Sequence, residues 1–293
     1  MAARARAPTI ATALMIAMIG AGVGCDGGEL PIPPECNGSI ELCGRRYDEI
    51  AYPTTHNAMS NAEDGWSFPN QNLGIARQLE DGVRGLMLDV HVGDNGRPYL
   101  CHAICAAGQT PLADGLRTIR DFLDQHRGEV VTVIFESYVE APVIAAGFET
   151  SGLATYVRGQ APGAPWPTLR ELIDLDQRLL VFTDDDGDRA YDWYLDVWAH
   201  AWETPFAAST TADFTCDRNR GAAGNALFIF NHFLTRTLAV PEEAAATNAN
   251  PLLIDRALAC SAASGRLPNF VTVDFYDQGD LLAAVLTLNR RPD

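Results

Sequence analysis

Short runs rich in β-branched and aromatic residues recur along the chain, separated by longer stretches whose apolar positions return every three or four residues. Runs of the first kind predict strands over residues 83–90 (VRGLMLDV), 97–102 (RPYLCH), 129–136 (EVVTVIFE), 178–184 (RLLVFTD), 226–232 (ALFIFNH) and 269–276 (NFVTVDFY), with a further one around Tyr52. The longer stretches predict amphipathic helices. In PLADGLRTIRDFLDQH, Leu112, Leu116, Ile119, Phe122 and Leu123 share one face at close to the helical period. TLRELIDL, YDWYLDVWAHAW and LLIDRALACSAA read as helices in the same way, the last with Pro251 in its first turn.

Strand and helix alternate over about 250 residues, enough for one large α/β domain around a parallel sheet, open or closed into a barrel. Neither GxGxxG nor GxxxxGK[ST] follows an early strand, which disfavours a nucleotide-binding doubly wound sheet. A barrel gathers its chemistry at the C-terminal ends of its strands. The polar residues His56, Asp89, His102, Glu136, Thr183, Asp184, Asn231, His232 and Asp274 all stand at such ends. Strand parity puts Gly85, Met87, Asp89 and His91 on one face and Arg84, Leu86, Leu88 and Val90 on the other. Arg84 therefore reads as a structural ion pair at the foot of the barrel. His91 reads as a loop residue in HVGDNG, where Asn95-Gly96 signals reversal.

The amino terminus adds where such a domain works. Arg4 and Arg6 precede an apolar run of about 14 residues, too short to span a bilayer comfortably but suited to an export signal. Residues 1–24 read as a signal peptide, residues 25–45 as a tether and residues 46–293 as the barrel. The VGC ending resembles a bacterial lipoprotein cleavage box, in which Cys25 would be lipidated and tie the protein to a membrane surface. A plain signal peptide with a secreted product is the alternative. Setting Cys25 aside leaves six cysteines for an oxidising compartment. The sequence leaves their connectivity open, and neighbours along the chain give Cys36–Cys43, Cys101–Cys105 and Cys216–Cys260. A formal net charge of −17 argues against a basic nucleic-acid-binding face and against electrostatic adsorption to anionic lipid. An anionic substrate would have to be met by a local cation.

Two histidines on separate strands opening on one mouth suit acid–base catalysis near neutral pH, one accepting a proton while the other donates one. In-line displacement at phosphorus needs them on opposite sides of the phosphate. His56 in TTHNAM and His102 in YLCHAIC are the candidate pair, and a Cys101–Cys105 ring would hold the backbone around His102. His126 and His200 fall in helical patterns, and Asp184, Asn231 and His232 are mouth candidates without a role. The acidic run DDDGD lacks the later glutamate of an EF-hand and reads as a solvated turn.

TTHNAM, NQNLGIARQLEDGVRGLMLDVH, YLCHAIC, EVVTVIFESYV, WPTLRELIDLDQRLLVFTD and PNFVTVDFY follow one another from about Tyr52 to Leu288. This ordered set resembles the phosphatidylinositol-specific phospholipase C X-domain superfamily, and within it the secreted single-domain PLC-like phosphodiesterase branch. The resemblance implies an α/β fold, a distorted TIM-type (β/α) barrel in a single domain. It implies that His56 removes the proton from the inositol 2-hydroxyl, which attacks the adjacent phosphorus. His102 would then protonate the departing diacylglycerol oxygen, leaving a cyclic inositol phosphate. The internal nucleophile is already held beside its target, so proton transfer and charge neutralisation are what remain.

Members of the superfamily neutralise that charge with calcium or with an arginine. Here Asn57, Asp89 and Glu136 match the calcium-ligand positions, and Asp89 stands where the metal-free branch has its arginine. Calcium (Ca2+) is thus the implied cofactor, since oxygen ligands suit a hard cation. Met87 departs from the pattern, standing where the calcium branch has an acidic ligand. The alternative is that Asn57 and Glu136 orient the histidines by hydrogen bonds. Asp274 is a candidate to orient His56 or to accept a substrate hydroxyl. Two other functions remain open: a non-catalytic surface barrel that binds a polyol or lipid headgroup, and a phosphodiesterase acting on glycerophosphodiesters or choline lipids. Headgroup selection is expected in loops such as residues 203–225.

Overall fold

A computed structural model describes residues 31–185, 190–236 and 238–290. The expected signal peptide, Cys25 and residues 186–188 of the acidic run lie outside the described residues. Ten strands are present among the latter: β1 (Tyr52–Thr55), β2 (Gly85–Val92), β3 (Pro98–Leu100), β4 (Thr110–Pro111), β5 (Val131–Ser137), β6 (Leu179–Thr183), β7 (Tyr194–Asp196), β8 (Ala201–Glu203), β9 (Leu227–Asn231) and β10 (Phe270–Val273). Eight pair in parallel in the order β7-β6-β5-β2-β1-β10-β9-β8, an α/β sheet curled into a half-barrel. Its two edge strands, β7 and β8, are consecutive in the chain and joined by the single helical turn Val197–His200.

Alternation along the strands builds two cores. Leu86, Leu88 and Val90 of β2 and Val131, Val133 and Phe135 of β5 are fully buried in one cluster with Leu112, Leu116, Ile119 and Leu123 of the helix Leu112–Gln125. Each such side chain contributes about 1.5–3 kcal/mol when removed from water. The other set, Tyr52, Ile134, Leu180, Phe182, Ile229 and Phe270, forms a second cluster with Tyr47 and Trp166, and Met87 packs partly buried against it. The Tyr47 hydroxyl and the Thr132 hydroxyl, 2.6 Å apart, satisfy one another on the face of β5 that this second cluster covers. Filling the barrel in this way leaves the polar strand ends around an open mouth.

Within the sheet, three sequence expectations change. Residues 97–102 do not form a barrel strand: β3 returns antiparallel to β2, with Val90↔Leu100 and His91↔Tyr99 in register, and pairs onward with β4. The Asn95-Gly96 reversal, with Gly96 at φ +74°, dictates that return. The same hairpin prolongs β2 to Val92, so His91 lies within the strand rather than in a loop. The segment YDWYLDVWAHAW is not one helix but β7, one helical turn and β8. The Asp196 side chain accepts the Trp198 N–H at 2.8 Å and so starts the helix only there.

From Cys36 onward, the stretch expected as a tether is folded against the domain. Its Asn37 side chain donates to the Val130 carbonyl at 3.2 Å and accepts the Val130 N–H at 2.7 Å. Disulfides join Cys36–Cys43, Cys101–Cys105 and Cys216–Cys260. Arg84 pairs with Glu129 at 2.7 Å and donates to the Leu79 and Val83 carbonyls, consistent with a structural ion pair. Among the described residues no helix is long and apolar enough to cross a membrane.

Candidate active site

His56 is the first residue beyond β1. Its N–H donates to the Val273 carbonyl at 3.0 Å, and its own carbonyl accepts from Gln71 Nε2 at 2.7 Å. Asn57 then turns the chain at φ +47°, a conformation asparagine tolerates better than most residues. The His56 imidazole stacks on Phe233, ring centroids 3.9 Å apart, and its Nδ1 lies 2.9 Å from Asp274 Oδ1. An ionised carboxylate only accepts, so Nδ1 carries the hydrogen and Nε2 is left free to take a proton. Burial disfavours the imidazolium, but the Asp274 charge and hydrogen bond, with Asp89 and Glu136 behind them, raise its pKa above the ordinary histidine value.

Asp274 follows β10 and is only 5% exposed. Its Oδ1 also accepts from Asn70 Nδ2 at 3.2 Å, and Asn70 Oδ1 accepts from Asn57 Nδ2 at 3.3 Å.

Asp89 and Glu136 are register partners on β2 and β5. Asp89 is 4% exposed, and its carboxylate takes no hydrogen bond from a described residue. Burial, with help from Glu136 and Asp184 and against the effect of His56, pushes its pKa up to about 8. Glu136 is exposed and accepts a hydrogen bond from the Tyr138 hydroxyl, while His91 stacks on the Tyr138 ring with centroids 4.1 Å apart. Asp184 accepts from the Ser137 N–H at 3.2 Å, and burial raises its pKa despite that bond.

His102 reaches the mouth from the loop after β3. The Cys101 N–H donates to the Asp89 carbonyl at 3.2 Å, and the Cys101–Cys105 bridge closes the loop around it. Desolvation and the nearby His56 charge lower its pKa below the ordinary histidine value.

One cavity of about 510 Å³ brings together His56, Asn57, Asp89, His102, Glu136 and Asp274. Asp184, Asn231 and Met87 line it too. His232 does not. It is fully buried, with Nε2 donating to the Thr247 carbonyl and Nδ1 accepting from Arg256, each at 3.0 Å. Sequence reasoning gave no role to three lining residues: Phe233, Asn70 and Arg220. The Arg220 guanidinium donates to Glu203 at 2.5 Å, lies 4.2 Å over the Trp198 ring, and approaches Asp184 to 3.9 Å. Around the mouth stand Phe68 and Ile104, 63% and 68% exposed, with the partly exposed Phe206 and Leu238. An apolar ring on an acidic protein is unusual enough to carry information.

Asn57, Asp89 and Glu136 offer only oxygen or amide donors to the cavity, a set that fits a hard cation. A buried carboxylate without a hydrogen-bond donor is the kind of group that a bound cation or a proton compensates. Among the described residues, no group of three or more His, Cys, Asp and Glu side chains is placed to hold a metal, so an ion here would rest on two carboxylates and an amide.

The family model described as "PI-PLC X 1" matches residues 42–289. A "PI-PLC X domain-containing protein 1" of Arthroderma benhamiae is 29% identical over 273 residues, covering 87% of this chain and 89% of the relative. A PI-PLC X domain-containing protein of Arabidopsis thaliana is 30% identical over 261 residues, covering 81% of this chain and 60% of the relative. An "Uncharacterized secreted protein" of A. benhamiae is 29% identical over 276 residues, covering 85% of this chain and 62% of the relative. Two of these relatives are thus longer proteins of which this chain spans less than two thirds. Among solved structures, a phosphatidylinositol-specific phospholipase C from Staphylococcus aureus superposes with a TM-score of 0.56 at 13% identity, covering 85% of this chain and 95% of that one. That likeness identifies the fold as a TIM-type barrel.

Proposed function

Because the chain belongs to the PI-PLC X-domain family, we propose that it is a phosphodiesterase that cleaves inositol phospholipids or a closely related phosphodiester by two-histidine acid–base catalysis. The observation that carries this reading is the His56–Asp274 hydrogen bond of 2.9 Å at the wall of a cavity that His102 shares. In the proposed reaction, His56 Nε2 takes the proton of the inositol 2-hydroxyl as its oxygen bonds to phosphorus. The bond from phosphorus to the diacylglycerol oxygen breaks, and His102 delivers a proton to that oxygen. The products are diacylglycerol and a cyclic inositol phosphate, which water can open with the two histidines in exchanged roles.

Calcium is the proposed cofactor, held by Asn57, Asp89 and Glu136; when bound it supplies positive charge to the phosphate oxygens. Every other part is played by the chain's own groups. Asp274 holds the His56 tautomer, Phe233 fixes the plane of its ring, and Arg220 with Asp184 offers paired donors and acceptors to a polyol.

The exposed Phe68 and Ile104 at the mouth favour a lipid substrate at a membrane surface over a soluble diester. Export is supported by the disulfides and by the secreted A. benhamiae relative. Lipid anchoring at Cys25 is a further element of the proposal.

The test is a product assay on a panel of phosphodiesters, with and without chelator. Release of a cyclic phosphate from an inositol lipid is expected, and cleavage confined to choline or glycerol diesters would overturn the inositol assignment. Met87, half-buried beside Asp89, favours a second reading as a headgroup-binding barrel without turnover. Binding of inositol lipid with no product would select it.

A further inference from the structure

The geometry points to Asn70 as a positioning residue that sets two functional side chains at once: the Asp274 carboxylate behind His56 and the Asn57 amide. This deepens the proposed function and rests on the reading of His56 as the general base.

Asn70 is buried and fixed at both ends of its peptide, its N–H donating to the Ser60 carbonyl at 2.9 Å and its carbonyl accepting from the Phe275 N–H at 2.8 Å. Its side chain therefore has little freedom beyond which amide atom faces which neighbour. Asp274 decides that. The side that meets the Asp274 carboxylate at 3.2 Å must be the NH2 group, because an ionised carboxylate cannot donate. The Asn70 oxygen is thereby turned toward Asn57, 3.3 Å away, and Asn57 must answer with its own NH2.

The consequence lies at the mouth. With its NH2 group turned to Asn70, Asn57 keeps its amide oxygen as the acceptor it can offer a cation or a substrate hydroxyl. A flipped Asn57 would offer donors instead and repel a cation. The negative charge that holds the His56 tautomer is thus relayed, through one amide, into the polarity of the adjacent side chain. Buried polar chains of this kind orient their members only while every link is satisfied.

The test uses the whole protein. In NMR spectra of the wild type, the Asn57 side-chain NH2 protons should exchange slowly with water, and the His56 Nδ1 proton should be visible. Asn70→Asp is nearly isosteric but sets a second carboxylate beside Asp274, and Asn70→Ala removes both bonds. Each variant should lower kcat about ten- to a hundredfold with KM within about threefold, speed exchange of the Asn57 NH2, and broaden the His56 Nδ1 proton. Should Asn70→Ala fail to fold, Asn70→Asp and the wild-type exchange rates still decide. Solvent-rate exchange of the Asn57 NH2 in the wild type, or unmoved Asn57 and His56 resonances in a folded variant, would overturn the proposal. A wild type with protected resonances but no diesterase activity would sink the function and leave the relay standing.

Discussion

Asp89 and Glu136 stand side by side in register on adjacent parallel strands, the first buried and the second exposed. Their proximity helps hold the Asp89 pKa near 8, the position of a carboxylate short of a counter-charge. If calcium is that counter-charge, chelation should abolish turnover and added calcium should restore it. Asp89→Asn should weaken calcium binding at least tenfold in a direct titration without inhibitor or substrate. Chelator-insensitive rates would instead give Asn57 and Glu136 the orienting role.

His56 and His102 divide the proton transfers in the proposed reaction, so neither can replace the other. His56→Ala and His102→Ala should each lower kcat by about 10²–10⁴-fold, with melting temperatures close to the wild type. Asp274→Asn should also be strongly impaired, because the amide that replaces the carboxylate can present its NH2 to Nδ1 and favour the wrong tautomer. Substantial residual turnover in either histidine variant would remove the acid–base assignment.

The inward and outward alternation of β2 was legible in the sequence because the two faces of the strand meet different surroundings. Leu86 and Leu88 pack under helices, while Met87 and Asp89 face the barrel. The helix Leu112–Gln125 was legible for the same reason, having one solvated face. Strands β7 and β8 were not. Tyr194, Leu195, Val197, Ala201 and Trp202 are all buried, so no period separates strand from helix there. Pairing partners were also hidden: the pattern of residues 97–102 suits a strand but does not say that it returns along β2. His56, Asp89, Glu136 and Asp274 could be picked out as polar strand ends. Asn70 could not, since its role depends on Asp274, 204 residues away.

The loop that carries His102 is held by the Cys101–Cys105 bridge and by the Cys101 N–H bond to β2. Replacing both cysteines by alanine should cost about 2 kcal/mol of stability, the entropy of a short closed loop. The larger effect should fall on kcat, at least tenfold, because the imidazole loses its position rather than its chemistry. Equal kcat in the bridged and unbridged proteins would show that the hairpin alone places His102.

Phe68 and Ile104 approach the mouth from different loops and are mostly exposed. Replacing both by serine should reduce sedimentation with neutral phosphatidylcholine vesicles doped with phosphatidylinositol. The rate on those vesicles should fall at least tenfold further than the rate on a short-chain soluble analogue, since burying two such side chains is worth about 3–6 kcal/mol at most. Parallel loss on both substrates would place these residues in the headgroup site instead.

His232 predicts acid sensitivity away from the mouth. Its Nε2–H is donated to the Thr247 carbonyl, and Nδ1 accepts from the Arg256 guanidinium, so the folded protein holds a neutral imidazole with no room for a second proton. Burial accordingly lowers its pKa from 6.5 to about 3. Between those values the unfolded chain binds more protons than the folded one. Stability from this residue is therefore intact above about pH 6.5 and declines as pH falls toward about 3, by up to about 1.4 kcal/mol per pH unit. His232→Gln keeps a donor for Thr247 and an acceptor for Arg256 but does not titrate. Urea midpoints measured from about pH 7 down to about pH 4.5 should fall less steeply in that variant than in the wild type. Identical slopes would place the acid sensitivity in other groups.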